Sequence, residues 1–205
     1  MSVINKDDRQ VAPTATSETE LSNTFLGDAI EIAIVTPDHK KTMEGLVKMG
    51  IGPWRVYTFS PENTTEQTYR GEPAEFEIKV CFARSGNIIW ELMQPLSGPT
   101  IFDEYLKRNP EGGIQHIAYD CGDIPLEERF AEFERRGFKC IQSGKWMDKN
   151  HFAFFDTEEK TSTVFETYYF PADFEYPEPE EWYPSAPPEV DNKVYSSGGA
   201  PKNRD

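Results

Sequence analysis

Cysteine is scarce. Three residues in 205, Cys81, Cys121 and Cys140, are an odd number without CxxC spacing, which excludes a disulfide framework and a thiolate zinc site and leaves reduced structural thiols. Positive charge is also short, at 21 Lys and Arg against 36 Asp and Glu, a formal net charge of −15. A phosphate backbone or an anionic membrane surface attracts the reverse balance, so neither nucleic acid nor membrane is an expected partner. No stretch approaches the ~20 apolar residues of a membrane span. The opening residues lack the apolar centre of a secretory signal, and a cytoplasmic protein is expected. Absent too are GxGxxG, GxxxxGKS or GxxxxGKT, and GxSxG patterns, so nucleotide-cofactor, phosphate-loop and serine-hydrolase chemistry have no support.

What is present is enough for a real core. Hydrophobic residues make up 37% and aromatics 13%, including 14 Phe and 4 Trp, a composition that favours strands. The length fits one domain with tails or two half-size modules. Residues 1–28 are rich in Ser, Thr, Asp and Glu without periodicity and read as a disordered lead-in. From residue 171 onward come seven prolines and a surplus of acid, eight acidic residues against three basic. Helix interiors and central strands are therefore excluded from this acidic, proline-rich tail, 172–205, and extended or polyproline chain is expected. Phe174, Tyr176, Trp182 and Tyr183 give its first half a surface to lie against the domain or a partner subunit. Its last fifteen residues read as loose.

The middle of the chain repeats itself. Glu31-Ile-Ala-Ile-Val-Thr-Pro-Asp38 and His116-Ile-Ala-Tyr-Asp-Cys-Gly-Asp123 share Ile-Ala after the first residue and Asp seven residues on. Each reads as a strand running into a turn. Helical spacing follows in both copies over 39–49 and 124–136, and both helices stop at glycine, Gly50 and Gly137. Strand-like segments come next: 54–59, 76–83 and 88–94 in the first copy, 139–143, 151–156 and 163–170 in the second. The unit is βαβββ, first over 29–98 and again over 113–171, with a connecting helix in 99–112. The fold class expected is α+β, two paired βαβββ modules forming a curved sheet around a central cleft. The closing strand of each unit carries a glutamate in an apolar middle and is expected to stop at proline, Pro95 or Pro171.

Four ionisable residues then hold matched positions: Glu31 and His116 on the opening strands, Glu91 and Glu166 on the closing ones. Strand alternation places each in an apolar row, Glu31 with Ala33 and Val35, Glu91 with Ile89 and Met93, His116 with Ile114 and Ala118, Glu166 with Val164 and Tyr168. A lone strand Glu is usually solvated and a lone His is usually structural. Four in register point to a shared solution, because a buried carboxylate is costly unless paired or metal-bound. A divalent cation would supply it. Three carboxylates and one imidazole match Mg²⁺, Mn²⁺ or Fe²⁺, with Zn²⁺ and Co²⁺ still open. Without an ion, one of the carboxylates should hold a proton.

These paired units, the Ile-Ala opening strands, the Glu91-Leu-Met-Gln-Pro-Leu close and the Gly112-Gly-Ile-Gln-His-Ile-Ala entry resemble the vicinal oxygen chelate superfamily, which includes glyoxalase I, bleomycin-resistance proteins and ring-cleaving dioxygenases. The nearest branch resembles methylmalonyl-CoA epimerase. The resemblance covers about residues 29 to 171 and places the metal ligands at Glu31, Glu91, His116 and Glu166. Two of these depart from the epimerase pattern, since the family usually has His where Glu31 stands and the epimerase branch has Gln where Glu91 stands. It further implies a metal-stabilised enolate, a homodimer and a small-molecule substrate. The activity implied is that of an isomerase, epimerase or lyase on a small enolisable carbonyl compound.

Glu166 and a base from Glu72-Pro-Ala-Glu75-Phe-Glu77 would move the proton; Glu75 fits best and Glu77 shares its strand face. A solvated edge strand is the competing reading for that segment. His151 reads as an acid or orienting group, or equally as a packed imidazole. Trp54 would wall the pocket or belong to the core, and Arg55 would meet a substrate anion. Fe(II)-dependent oxygenation and non-catalytic sequestration of a small molecule are the alternatives, the first weakened by the single aligned histidine.

Overall fold

The computed structural model describes residues 25–120 and 124–189. Most of the lead-in, Cys121 and the last residues of the tail lie outside the described residues. In chain order the elements are β1 (Asp28–Val35), α1 (His39–Lys48), β2 (Trp54–Phe59), β3 (Thr64–Tyr69), β4 (Glu72–Pro73), β5 (Glu77–Ser85), β6 (Ile88–Ser97), α2 (Ile101–Arg108), β7 (Gly113–Asp120), α3 (Leu126–Arg135), β8 (Cys140–Trp146), β9 (Asn150–Phe155), α4 (Glu158–Thr161), β10 (Val164–Tyr169) and β11 (Glu181–Tyr183). All these strands join one mixed sheet in the order β11-β2-β5-β6-β1-β7-β10-β9-β8-β3-β4, curled into a half-barrel.

The two helices that follow the opening strands end alike. Gly50 at φ +84° and Gly137 at φ +83° occupy the left-handed position that a side chain would strain. The same pair of bonds closes each end: Gly50 N–H to Val47 O and Ile51 N–H to Leu46 O, Gly137 N–H to Glu134 O and Phe138 N–H to Phe133 O. Both are Schellman caps, and in each the residue after glycine can close over the apolar residue whose carbonyl it binds. The helices cover the convex face. Met43, Leu46 and Val47 of α1 pack on Trp54, Val56, Cys81 and Leu92. Phe130 and Phe133 of α3 pack on Ala153, Phe155 and Phe165. On the concave face, Ile101 and Phe102 of α2 join Val35, Val80, Met93 and Phe154.

The halves meet at the centre, where β1 pairs antiparallel with β7, while β1–β6 and β7–β10 are parallel. Strand alternation therefore carries across the central strands, and the register shift between Ala33 and Ile34, a bulge, falls within the rows of the candidate ligands. Ala33 opposes His116 and Ile34 opposes Ile114, so Gln115 is left unpaired between them. The expected row of Ile114 with His116 is broken by this bulge, and Ile114 is exposed.

Three further features differ from the sequence reading. β6 does not stop at Pro95 but runs through it to Ser97; Pro95 pairs with Ile78 beside a register shift, where a missing N–H is tolerated. The polar segment Thr64–Tyr69, which has no apolar periodicity, forms β3 and crosses from the first half to pair with β8 of the second. Part of the proline-rich tail is a strand, β11, added to the edge of β2.

The tail lies against its own domain. Phe174 is buried and Tyr176 packs beside it in the concave core. Cys81 is buried, and burial pushes its thiol up to about 12, in keeping with an inert thiol. Replacing Phe174 with alanine is expected to cost about 3–5 kcal/mol in a urea or guanidinium unfolding titration; a loss under 1 kcal/mol would mean the tail is not part of the folded core.

Candidate metal centre

The registers place the four candidate ligands on adjacent central strands. Glu91, Ala33, His116 and Val164 form one row across β6, β1, β7 and β10; Ile89, Glu31, Ala118 and Glu166 form the next. The ligands thus alternate like squares of a checkerboard, and in each row an alanine stands between two of them. Ala33 and Ala118 are fully buried. Their methyl groups leave open the space into which the longer side chains converge, and the donor atoms of Glu31, Glu91, His116 and Glu166 all lie within 4.8 Å of one another. The Ile-Ala repeat is therefore part of the site, a role the sequence reading gave only to the ligands.

Hydrogen bonding orders this cluster. His116 Nδ1 makes a short hydrogen bond to the Gln115 Oε1, which the bulge brings beside it. Its other nitrogen, Nε2, faces Glu91 Oε2 at 3.0 Å and Glu166 Oε2 at 3.3 Å. With Nδ1–H donating to Gln115, Nε2 is left as the ligand atom, the arrangement that orients metal-bound imidazoles. Glu166 Oε2 is buried and lacks a hydrogen-bond partner. An oxygen so placed fits a cation better than a closed hydrogen-bond network. The residues present therefore suit a divalent ion with mostly oxygen ligands.

The electrostatics of the cluster favour a cation. Burial, then the neighbouring Glu91 and Glu166, raise the Glu31 carboxyl well above its ordinary range. Glu91 is pushed up to about 7, chiefly by burial, although its hydrogen bond to His116 opposes the rise. For His116 burial works downward, but the adjoining Glu166 and Glu91 carboxylates outweigh it and lift the imidazole to about 9. Without a cation these groups hold protons near neutrality; with one, the carboxylates ionise and the imidazole gives up its proton.

The cluster forms the floor of a cleft of about 370 Å³, with an apolar wall that includes Ile78, Phe82 and Met93. Arg55 lines it from β2, its guanidinium 5.4 Å from the Tyr176 ring centre and 5.1 Å from that of Trp182. Trp54 points the other way, is fully buried beneath α1, and donates its indole N–H to Ile51 O. Glu75 is exposed, and Glu77 accepts from Ser97 Oγ on the face of β5 opposite the cleft-lining Ile78. His151 alternates with the concave-face Phe152 and Phe154, so its half-buried ring stands on the convex side, where burial and then Lys145 lower its pKa. The structure brings Glu31, Glu91, His116, Glu166 and Arg55 to the cleft or its floor, and leaves Trp54, Glu75, Glu77 and His151 outside it. Gln115, Tyr168, Tyr176 and Trp182 were missed as site residues. A Gln before the His was in plain view, but its bulge leaves no periodic signal.

Two outcomes are expected. Ala118→Leu fills the gap without removing a ligand, so metal affinity measured by calorimetry should fall at least about a hundredfold while the fold, followed by circular dichroism, persists. Glu91 and His116 hold their protons more tightly folded than unfolded. The stability they add to the metal-free protein is therefore present in acid and lost as pH rises, from about 4.5 through 7 for Glu91 and from about 6.5 through 9 for His116. Melting curves in chelator should fall across that range, and added Mn²⁺ should stabilise more as pH rises.

The sequence matches the profile of the Glyoxalase/Bleomycin resistance protein/Dioxygenase superfamily over residues 31–155. Comparison with curated proteins gives no match. Among solved structures, a hypothetical protein from Bacillus halodurans C-125 superposes with a TM-score of 0.53 at 20% identity, over 73% of this chain and 98% of that one. Methylmalonyl-CoA epimerase from Mycobacterium tuberculosis gives 0.53 at 14% identity, over 72% and 91%. A variant of the Streptomyces coelicolor methylmalonyl-CoA epimerase in complex with 2-nitronate-propionyl-CoA gives 0.50 at 15%, over 70% and 94%. At these identities the structural likeness speaks for the fold, and the profile, which spans both halves from Glu31 to Phe155, for descent: the chain belongs to the vicinal oxygen chelate superfamily of glyoxalases, bleomycin-resistance proteins and dioxygenases.

Proposed function

We propose that the protein is a divalent-metal-dependent isomerase or epimerase, or a lyase, acting on a small enolisable carbonyl compound. The observation that carries this reading is the convergence of four buried ligand atoms, all within 4.8 Å of each other, on the floor of an apolar cleft. The fold shared with methylmalonyl-CoA epimerases supports it. The donor set favours Mg²⁺, Mn²⁺ or Fe²⁺ and remains compatible with Zn²⁺ or Co²⁺. Only one imidazole belongs to the cluster, so the two-histidine triad of non-haem iron oxygenases is not met.

A divalent ion held by Glu31, Glu91, His116 and Glu166 supplies Lewis acidity toward substrate oxygens, which makes the neighbouring C–H more acidic. The Glu166 carboxylate, on the floor of the cleft, would accept that proton. Glu31 lies in the same row with only Ala118 between and is the carboxylate to which Glu166 can pass that proton before its return. His116, held by Gln115 through Nδ1–H, stays fixed. The apolar wall keeps water from competing for the proton. Return of the proton gives epimerisation or isomerisation; loss of a β-substituent instead gives a lyase.

In deuterium oxide, the Mn²⁺- or Mg²⁺-loaded protein should exchange the α-proton of at least one member of a panel of α-hydroxyketones, 2-oxo acids and methylmalonyl-CoA, followed by NMR. Chelator should abolish the exchange, and Glu166→Gln should lower it at least about a hundredfold. Ligand binding without exchange, indifferent to chelator and to Glu166→Gln, would replace this reading with sequestration.

A further inference from the structure

The family profile ends at residue 155, yet one side of the cleft is built beyond it. Tyr168 and Phe170 come from β10 and its exit, and Tyr176, Trp182, Pro187 and Glu189 from the tail. Backbone pairing holds this segment in place. Trp182 opposes Arg55 across the β11–β2 ladder, which puts both on the cleft face. The neighbouring Tyr183 turns to the convex core, while Glu180 N–H bonds Val56 O and its carboxylate meets Lys79 Nζ at 2.7 Å. Tyr57 donates its hydroxyl to Pro177 O. The tail is thereby fastened at residues 177, 180 and 181–183, just after Tyr176, and the buried Phe174 anchors it just before.

Tyr176 sits inside a cage of rings. The centroids of Phe82, Trp146 and Phe170 lie 5.9, 6.0 and 5.8 Å from its own, separations at which aromatic rings attract one another. Opposite, Trp146 stacks on Phe59 at 4.4 Å with planes 19° apart. Arg55 lies over both Tyr176 and Trp182, a cation–π contact that ties the two rings together. The surface facing the carboxylate floor is therefore a rigid set of flat apolar faces. Apart from the carboxylate floor, the charged residues that line the cleft are Arg55, Arg84 and Glu189.

We propose that this C-terminal segment is the specificity wall of the site, with Tyr176 and Trp182 holding the flat aromatic body of the substrate while its oxygen pair reaches the cluster of Glu31, Glu91, His116 and Glu166. The inference rests on the proposed function for the role of the cluster, but the wall selects ligands by shape whether or not chemistry follows. A substrate of this class is an aryl-substituted α-oxygenated ketone or its equivalent. Aliphatic analogues with the same oxygens leave the rings unfilled. Arg55 is a positioning residue here, since it acts through the two rings.

The test is calorimetric binding to the Mn²⁺-loaded full chain, with 2-hydroxyacetophenone, hydroxyacetone and propionyl-CoA as probes. The aryl ketone should bind at least about tenfold more tightly than hydroxyacetone, the increment expected for filling an aromatic slot. Trp182→Ala should bring the ratio close to one while leaving Mn²⁺ affinity within about twofold. Trp182→Phe should restore most of the preference, which a purely structural role for Trp182 would not require. Tyr176→Leu, which keeps apolar volume, is the second variant, checked for folding by its melting curve. Equal affinity for the two ketones, tighter binding of propionyl-CoA, or an unchanged ratio in Trp182→Ala overturns the specificity wall even if proton exchange is observed. Preferential aryl binding without any exchange leaves the wall standing and removes the isomerase instead.

Discussion

Everything in the site depends on the cost of placing three carboxylates in one dry space at the centre of a sheet. Carboxylates that close together repel, and none is solvated, so ionised side chains would drive the centre of the fold apart unless protons or a cation intervene. The sheet accepts this burden at its most constrained point, where the halves meet and every strand is paired on both edges. Alanine at Ala33 and Ala118 is the only small side chain in the two rows that hold the ligands, so the same positions that admit the charges leave room for their neutraliser. A single imidazole anchored by Gln115 then breaks the symmetry between the halves.

The placement of the four ligands was legible because it rests on the two simplest regularities of a chain, duplication and strand alternation. Glu31 and His116 begin matching strands, Glu91 and Glu166 sit midway along closing ones, and alternation alone puts each on the concave face. Helices α1 and α3 were legible for the same reason, with apolar spacing ended by glycines that the Schellman caps require, whereas the short α4 was not foreseen. What escaped lacks periodicity. Thr64–Tyr69 became a strand by pairing with a distant partner, with Thr64 and Gln67 buried, which no local pattern announces. Gln115 was hidden by a bulge, whose effect is to suspend the alternation by which faces are assigned. Glu75 and Glu77 seemed suitable by spacing, yet the residues between and after them, Phe76 and Ile78, are the ones that face inward.

The tail shows how composition misleads about order. Seven prolines exclude central strands and helices, and among the described residues the chain respects that rule: β11 is short and lies at an edge. Proline does not exclude packing, however, and the fixed extended backbone it favours is well suited to a strap, since less conformational freedom remains to be lost on docking. Aromatic residues spaced along such a strap find the concave face that the repeated modules leave open. In this protein the superfamily core provides the floor, and sequence outside the repeat provides much of the wall.

The crossing of β3 has a mechanical consequence. Because it leaves the first half and zips along β8 of the second, with Tyr69 and Arg70 also gripping Glu104 of α2, the two halves are latched at a site remote from their central seam. A hinge between them would have to unzip a ladder, so the chamber behaves as a vessel of fixed bore.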